Sequence, residues 1–514
     1  MTLPPRSTAR WAVLWAAVVL QPLSATAQQD DRFTPEVPKV WDDEALATIE
    51  LSLPSAAHSP RHVSSEYYYS IPARKIYRSY PVYHPDHEPA GYWEWLHQQE
   101  PEVVFDRARL ETRDDWIRAG ELVFTEGNEY STGTEMEFLR DRRAYEVARI
   151  PLTKNGEFAY ARYFIREKGK VELSTDACAT CHTRVLEDGS VVLGGAGNFP
   201  LGWTVAYELR KEAARLPKGA EPPRVDKTWN DYWNFAAPWL DPDPGAYVLG
   251  FSFEELANLW EAVPPGVFPR ERTGPLTPVR IPDLFDVEDR PYLDATGLVR
   301  QRSAADLMRY AALNQNGDDL SSFGGFIPAA EEDGSLPDPS TRSRYSDEQL
   351  YALALFLESL EPPPNPHPFD ERARRGREVF EREGCGFCHT PPAYTNHHLT
   401  PAPGFEPPPE HLDALPVLSV RVGTDPGLTL NTRRGTGYYK VPSLRGVWCR
   451  GPFFHDGSLA TLPDVFDPRR LSSDYLPTGF RGPGVERRSV PGHEFGLDLS
   501  HEERAFLVAF LKTL

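Results

Sequence analysis

Two short motifs of the form Cys-x-x-Cys-His constrain this chain more than any other feature, because each ties three side chains to one chemical group. They run from Cys178 to His182 and from Cys385 to His389. Two thiols with two residues between them match the spacing of the haem vinyl groups, and the adjacent histidine can reach the iron. The sequence therefore predicts two covalently attached haem c groups, with His182 and His389 as iron ligands. The attaching thiols are those of Cys178, Cys181, Cys385 and Cys388.

Other uses of these cysteines fit the sequence less well. A zinc site needs a second pair of ligands, and the one cysteine outside the motifs is Cys449. A thioredoxin-like redox pair needs no histidine directly after it. A disulfide framework also fits poorly, because only Cys449 lies outside the two motifs. We therefore expect Cys449 to be a buried free thiol, with a covalent link between two chains as the alternative.

Each motif lies inside a repeated unit that begins and ends on a predicted helix. Gly120 precedes the first motif and Gly376 the second, each with a phenylalanine four positions later. Apolar residues at helical spacing close each unit after Ser346 and Ser500, which are followed by acidic residues, as is typical of a helix start. We expect the two helices of a unit to cross, since the glycine allows close approach.

The predicted fold class is mainly α: two cytochrome c-type helical haem domains with long loop insertions, and a small β hairpin in the first. Alternating hydrophobic residues place the hairpin at 145–150 and 158–164. The predicted organisation is a signal peptide at 1–27, an extended N-terminal arm at 28–104, module one at 105–360, a stiff proline-rich linker at 361–369 and module two at 370–514.

Charge and the first residues predict where the chain works. Arg6 and Arg10 precede an apolar run that ends in small residues, the pattern of a cleaved secretory signal, with an uncleaved anchor as the alternative. No segment reaches the length of a membrane helix. We expect a periplasmic or secreted protein without a stable membrane span. A formal net charge of -20 excludes a nucleic-acid partner, which needs a basic face, and fits small molecules or a basic redox partner.

Module two carries a further pattern, in which a Pro-Ser-Leu-Arg turn within 438–446 is followed by a His-Asp-Gly loop within 451–462. In this order the segments resemble the bacterial dihaem cytochrome c peroxidase superfamily, which includes the enzyme that matures methylamine dehydrogenase and the haem-dependent rubber oxygenases. The resemblance covers module two well, and module one only through its haem motif and terminal helix. It implies two facing cytochrome c domains, one haem performing chemistry and the other relaying electrons.

The resemblance also bears on metal ligands. The peroxidases hold calcium between their domains partly through a Thr-x-Pro segment, but here the matching residues are 450–452, Arg-Gly-Pro, so calcium is possible but doubtful. The peroxidases place a methionine on the C-terminal haem, and this chain has none after Met308. The oxygenase-like branch uses two histidines there. We therefore expect His493 as the second ligand of the iron at His389, with His455 as the rival.

The iron at His182 has no obvious second ligand. The sequence has no histidine between His182 and His367, and Met308 lies in a predicted amphipathic helix, where a core position is typical. We expect the far face of this haem to be open. The alternative is a histidine from the N-terminal arm, among His58, His62, His84, His87 and His97.

These features predict an oxidoreductase that activates a small-molecule oxidant, hydrogen peroxide or dioxygen, at the N-terminal haem. Electrons would pass through the C-terminal haem from a redox protein or an organic donor. A non-catalytic electron-transfer cytochrome is one alternative. Another is a rubber oxygenase-like dioxygenase acting on an apolar substrate, for which Phe323 and Phe326 are candidates to line the distal pocket. No acidic residue stands out as the acid-base group that a peroxidase needs.

Overall fold

The structure of the chain, a computed structural model, describes residues 32–128, 137–174, 177–217, 224–225, 237–268, 274–316, 319–331 and 333–514. The predicted signal peptide at 1–27 lies outside these ranges. The fold is helix-rich, with 34% helix and 13% strand, so the mainly helical prediction holds in this coarser form. It understates the strands, which form seven small sheets within the described ranges.

The helices are numbered here in chain order. In and before module one they are α1 Asp43–Leu46, α2 Ser65–Ser70, α3 Tyr92–Leu96, α4 Arg113–Thr125, α5 Arg142–Ala148, α6 Cys178–His182, α7 Leu201–Arg215, α8 Phe253–Glu261, α9 Ala304–Asn316 and α10 Asp347–Glu358. In module two they are α11 Glu371–Arg382, α12 Pro409–Ala414, α13 Gly427–Leu430, α14 Leu462–Val465 and α15 His501–Leu511.

The strands are short, apart from β5, and pair in antiparallel fashion. Before and within module one they are β1 Pro60–His62, β2 Ile76–Tyr77, β3 Ser79–Tyr83, β4 Gly127–Asn128, β5 Glu157–Glu167, β6 Lys170–Ser174, β7 Thr183–Val185, β8 Val191–Leu193, β9 Val267–Phe268, β10 Val279–Arg280, β11 Tyr292–Leu293, β12 Val299–Arg300 and β13 Ser321–Phe323. Module two has β14 Leu399–Pro401 and β15 Tyr438–Lys440.

Two crossed helix pairs, α4 with α10 and α11 with α15, form the frames of the modules. A Cβ atom on Gly120 would overlap the carbonyl group of Ala352, and one on Gly376 would overlap the carbonyl group of Phe506. The close approach predicted at both glycines is therefore confirmed. Only a residue without a side chain lets the two backbones meet at this distance.

The closing helices start where the sequence predicts. Ser346 caps α10 and Ser500 caps α15, each through its hydroxyl group to the backbone N–H three residues on. The side-chain oxygens of Gln349 and Glu503 accept a hydrogen bond from the backbone N–H of the capping serine, which completes a capping box. These bonds satisfy N–H groups that the first turn of a helix leaves without partners.

The hairpin prediction is correct in its second half and wrong in its first. Residues 158–164 lie in β5, which pairs with β6 and with β3 of the N-terminal segment. Residues 145–148, predicted as a strand, belong to helix α5. Asp141 caps this helix, and Ala144 and Ala148, one turn apart, are buried. The helical spacing of the buried residues thus determines the structure here, and the local alternation of hydrophobic and polar residues does not produce a strand.

Residues 32–104, predicted as an extended arm, contain short helices and strands. Their side chains Trp41 and Ile49 are buried in the same core cluster as Phe124 of α4 and Leu353 of α10. The arm therefore contributes to the core of module one. Across the described ranges, no helix has both the length and the apolar character that crossing a bilayer requires.

Candidate functional site

The first motif forms helix α6, which ends on His182. The Nδ1 atom of His182 lies 3.1 Å from the carbonyl oxygen of Pro282, so the Nδ1–H group donates there and Nε2 keeps its lone pair. Burial lowers the pKa of His182 to about 4, which keeps the imidazole neutral. A neutral imidazole fixed through its other nitrogen is what a metal ligand requires.

The second motif repeats this arrangement in another local structure. Cys385 and Phe387 bound a short 3₁₀ turn that follows α11, and His389 comes two residues later. Its Nδ1 atom lies 3.1 Å from the carbonyl oxygen of Tyr394, and burial lowers its pKa. Both motifs thus hold two thiols beside a neutral, oriented imidazole, a donor set that fits haem c.

His493 lies opposite His389, with 6.3 Å between the ring centroids. A metal ion with an imidazole nitrogen about 2 Å away on either side separates two ring centroids by about 6 Å. The Nδ1 atom of His493 is buried and makes no hydrogen bond within the described part of the chain. Burial, with a smaller effect of His389, lowers the pKa of His493 to about 4. These residues could hold an iron between them.

The backbone at His493 is held in an unusual conformation. Its φ of 48° lies in the left-handed region, which costs a non-glycine residue on the order of 1–3 kcal/mol. Its N–H group donates to the carbonyl oxygen of Val422 at 2.8 Å. Its carbonyl oxygen accepts from Arg470 at 2.8 Å, and Arg470 is itself fully buried. Arg470 is a positioning residue that sequence reasoning missed, since nothing in its neighbourhood marks it.

His455, the rival ligand, lies elsewhere. Its ring is 4.4 Å from that of Tyr439, centroid to centroid, and its Nδ1 atom is 3.3 Å from the hydroxyl oxygen of Thr424. Its carbonyl oxygen accepts from the backbone N–H of Arg280. The structure therefore brings His493, and not His455, to the ring of His389.

The N-terminal site has no such partner among the described residues, where no ring contact involves His182. Met308 is fully buried in the hydrophobic core. The five histidines of the N-terminal arm have other surroundings: His58 stacks on Trp239, His62 contacts Ser321, His84 and His87 contact each other, and His97 contacts Trp93. The far side of His182 therefore differs from that of His389.

Phe323 and Phe326 belong to an aromatic cluster. Phe323 is fully buried and stacks on Trp239 with 5.5 Å between ring centroids. The guanidinium group of Arg433 lies 5.6 Å from the Phe323 ring and 5.2 Å from the Phe326 ring. The cluster begins just after α9, whose Gln315 places its Nε2 atom 3.8 Å from the thiol of Cys178. This element thus connects the aromatic cluster to the first haem motif.

The segment that corresponds to the calcium-binding Thr-x-Pro does not fit a cation. Arg450 is buried, and its Nε atom lies 2.9 Å from a carboxylate oxygen of Asp283. The carbonyl oxygen of Gly451 accepts from Arg184 at 3.0 Å. Calcium needs several free oxygen ligands, and here guanidinium groups already occupy both the carboxylate and the carbonyl. The positive charges of the chain itself stand where the resemblance implies calcium.

Three comparisons with known proteins bear on this site. Residues 437–475 match the RoxA-like, cytochrome c-like family. The methylamine utilization protein MauG of Methylorubrum extorquens is 28% identical over 149 residues, which are 28% of this chain and 34% of that protein. Cytochrome-c peroxidase IdrP1 of Denitromonas iodatirespirans is 30% identical over 164 residues, 28% of this chain and 40% of that protein. The matches thus span about a third to two fifths of these relatives.

Among solved structures, a MauG-like protein associated with microbial copper homeostasis aligns with a TM-score of 0.27 at 21% identity, over 58% of this chain and 94% of that chain. The haem motifs and the sequence matches define the class of protein as a c-type cytochrome. Within that class, the chain is similar over 28% of its length to MauG and to a cytochrome-c peroxidase, and residues 437–475 resemble the RoxA-like, cytochrome c-like family.

Proposed function

We propose that this chain is an exported dihaem oxidoreductase whose haems have different tasks. The haem at His182 meets hydrogen peroxide or dioxygen, and the haem at His389 relays electrons. The observation that carries the proposal is the difference between the two histidines. His389 faces the ring of His493 at 6.3 Å, whereas no described histidine ring contacts that of His182.

The residues around each histidine support these two tasks. Haem iron, when bound, supplies an exchangeable electron and a site for an oxidant. Pro282 fixes the Nδ1–H group of His182 and so orients the imidazole toward its ligand position. Arg470 and the backbone of Val422 hold His493 in place, which leaves module two no exchangeable position. An iron with two firm ligands passes electrons without binding substrate.

A bonded path connects the two motifs. His182 donates to Pro282, and the next residue, Asp283, pairs with Arg450 at 2.9 Å. The Nη1 atom of Arg450 donates at 2.5 Å to the carbonyl oxygen of Ser443, which follows the Pro442 carbonyl that bonds to His389. Such contiguous contacts are a suitable route for electrons between the haems.

An external donor would meet module two. Phe387, between the two attachment cysteines, is 61% exposed, so this edge of the second haem site reaches the surface. The formal charge of -20 favours a basic redox protein through electrostatic steering, and an organic donor is the alternative. An uncleaved or cleaved secretory signal would bring the protein to the periplasm or outside the cell.

A second candidate function rests on the aromatic cluster. A rubber oxygenase-like dioxygenase needs an apolar pocket next to the N-terminal haem. Phe323, Phe326 and Trp239 form an aromatic cluster, and the preceding helix α9 reaches Cys178 through Gln315. In this case dioxygen is the oxidant, and an apolar organic compound is the substrate.

The test mixes the fully reduced protein with hydrogen peroxide and, separately, with dioxygen, and follows the absorbance bands of both haems. A peroxidase consumes one peroxide, two protons and two electrons, one from each haem, and releases two waters. We expect fast oxidation of both haems at one peroxide per protein. An oxygenase instead consumes more dioxygen when an apolar polyisoprene is added. Slow, second-order oxidation by both reagents would contradict both proposals and support the electron-carrier function.

A further inference from the structure

Basic side chains converge where module one meets module two. Two of them lie around β10 and β11, one follows the first haem motif, and two belong to module two. They are Arg184, Arg280, Arg290, Lys440 and Arg450. Burial and then a neighbouring basic group lower the pKa of Arg280 and of Lys440. Burial also lowers the pKa of Arg450, against the opposing effect of Asp283. This set is called the interface cation cluster below.

One carboxylate lies in ion-pair contact with the cluster among the described residues. Asp283 is 2.7 Å from Arg290 and 2.9 Å from Arg450. Burial would raise the pKa of Asp283, but the arginines outweigh it and hold that pKa at about 2. Two other aspartates nearby have their own partners: Asp294 pairs with Arg434, and Asp286 pairs with Arg445. Among the described residues, Asp283 is therefore the carboxylate that forms ion pairs with members of the cluster.

Among the described residues, Arg184, Arg280 and Lys440 have no carboxylate partner, and Arg184 already donates to the carbonyl oxygens of Ala196 and Gly451. Arg280 and Lys440 are the two that remain. Within the described part of the chain, the Arg280 side chain makes no hydrogen bond or ion pair, and the Nζ atom of Lys440 donates to the carbonyl oxygen of Tyr292 at 2.8 Å. Burial lowers the pKa of Lys440 to about 7 and that of Arg280 to about 10. Both side chains are partly accessible. A desolvated cation without an anion is costly.

The cluster is placed between the two proximal histidines. Arg280 is two residues from Pro282, whose carbonyl oxygen accepts from His182. Lys440 is two residues from Pro442, whose carbonyl group bonds to His389. A haem held by either histidine would supply two carboxylates, and Arg280 and Lys440 are the cations near these prolines that could pair with them. Haem carboxylates would balance the excess charge through charge-assisted hydrogen bonds.

We infer that Arg280 and Lys440 bind haem propionate groups at the module interface and thereby set the reduction potential of the haem that they hold. The inference rests on the haem sites of the proposed function. A positive charge close to a haem favours the reduced iron, which carries one positive charge less. The cluster thus supports electron flow toward the haem whose carboxylates it binds, and the test identifies which of the two haems this is.

The test compares variants that remove the charge, Lys440→Met and Arg280→Met, with variants that keep it, Lys440→Arg and Arg280→Lys. Lys168→Met, at an exposed surface ion pair with Glu100, is the control for a distant charge. Reduction potentials of both haems are measured in the holoprotein by spectroelectrochemistry, and haem content by the pyridine haemochrome method. Covalent attachment keeps the haem in place, so the potentials remain measurable.

We expect the methionine variants to shift the equilibrium of one haem at least tenfold toward the oxidised form, about 60 mV lower. The charge-keeping variants and Lys168→Met should stay near the wild type. Loss of haem in the methionine variants, but not in the charge-keeping ones, would support propionate anchoring equally. Unchanged potentials of both haems at full haem content would overturn the inference. So would a shift that appears only when chloride or phosphate is removed, because a free anion would then be the partner.

Failure of this inference and failure of the proposed function are distinguishable. An electron carrier would show the same potential shift without reacting with peroxide or dioxygen. An enzyme whose propionates are bound elsewhere would react with the oxidant and show no shift.

Discussion

Module one and module two cross their helices in the same way. The Ala352 carbonyl group lies against Gly120, and the Phe506 carbonyl group lies against Gly376. The phenylalanine four positions after each glycine meets a phenylalanine of the closing helix, with 5.2 Å between ring centroids in module one and 5.4 Å in module two. The two frames are therefore equivalent, and a difference in chemistry has to come from what surrounds them.

That difference lies on the far side of each proximal histidine. In module two, Gly492 packs against the backbone of Thr424 and carries the chain to His493, opposite His389. In module one no described ring contacts that of His182, and the long insertion contains an aromatic cluster around Phe323. The comparison shows that one helical frame can carry different surroundings at its histidine, according to the loops added to it.

The largest expected effect comes from removing the residue that closes module two. His493→Ala should turn the haem at His389 from low-spin to high-spin, because the ring at 6.3 Å is lost. Absorbance and electron paramagnetic resonance spectra measure the change. His455→Ala is the matched control and should leave that haem low-spin. A low-spin spectrum in His493→Ala, or a high-spin one in His455→Ala, would contradict the assignment.

Glycine replacements test the equivalence of the frames. Gly120→Ala and Gly376→Ala should each lower the free energy of unfolding by about 1–3 kcal/mol or more, since the added methyl group overlaps a backbone carbonyl. Thermal unfolding of the holoprotein measures this. Gly386→Ala is the control, because its nearest contact is 3.8 Å away. A similar loss in Gly386→Ala, or none at the two crossings, would show that the frames are not tightly packed.

A smaller effect is expected at the residue that positions His493. Arg470→Met removes donors to the carbonyl groups of Val465, Val490 and His493, and each buried carbonyl left alone costs about 1–3 kcal/mol. We expect a partly high-spin haem in module two and an unchanged module one. Arg470→Lys should restore part of the low-spin form. A purely structural role would lower stability without any change in spin state.

The smallest effect concerns Cys449, which is buried and donates through its thiol to the Gly446 carbonyl oxygen. Burial raises its pKa, so the thiol stays protonated at neutral pH and should react slowly with thiol reagents until the protein unfolds. As pH rises toward that raised pKa, the labelling rate should increase. A dimer on a non-reducing gel that a reductant removes would contradict the free thiol.

Much of the fold follows from local sequence signals. The motif spacing, the glycine and phenylalanine of each opening helix and the capping serines Ser346 and Ser500 all act within a few residues of one another, so a single sequence displays them. The strand predicted at 145–150 is wrong. Hydrophobic and polar residues alternate there, but the cap at Asp141 and the burial of one face favour helix α5.

Other features depend on contacts distant in sequence. Arg470 reaches Val490 and His493 across some twenty positions, and Lys440 meets the Tyr292 carbonyl group of the other module. Lys440 lies in the segment 438–446 that carries the resemblance, but nothing in that pattern indicates its contact with Tyr292. His493 was accessible to sequence reasoning through the absence of a later methionine, but the strained backbone that presents it was not.

Carbon monoxide binding to the fully reduced protein tests the central contrast most directly, because the gas binds reduced haem only where a ligand position is free. The account predicts prompt binding at one haem, that of His182, and prompt binding at both in His493→Ala. If neither haem of the wild-type protein binds carbon monoxide, and resonance spectra show two low-spin irons in both oxidation states, the enzyme proposal is wrong and the chain is an electron carrier.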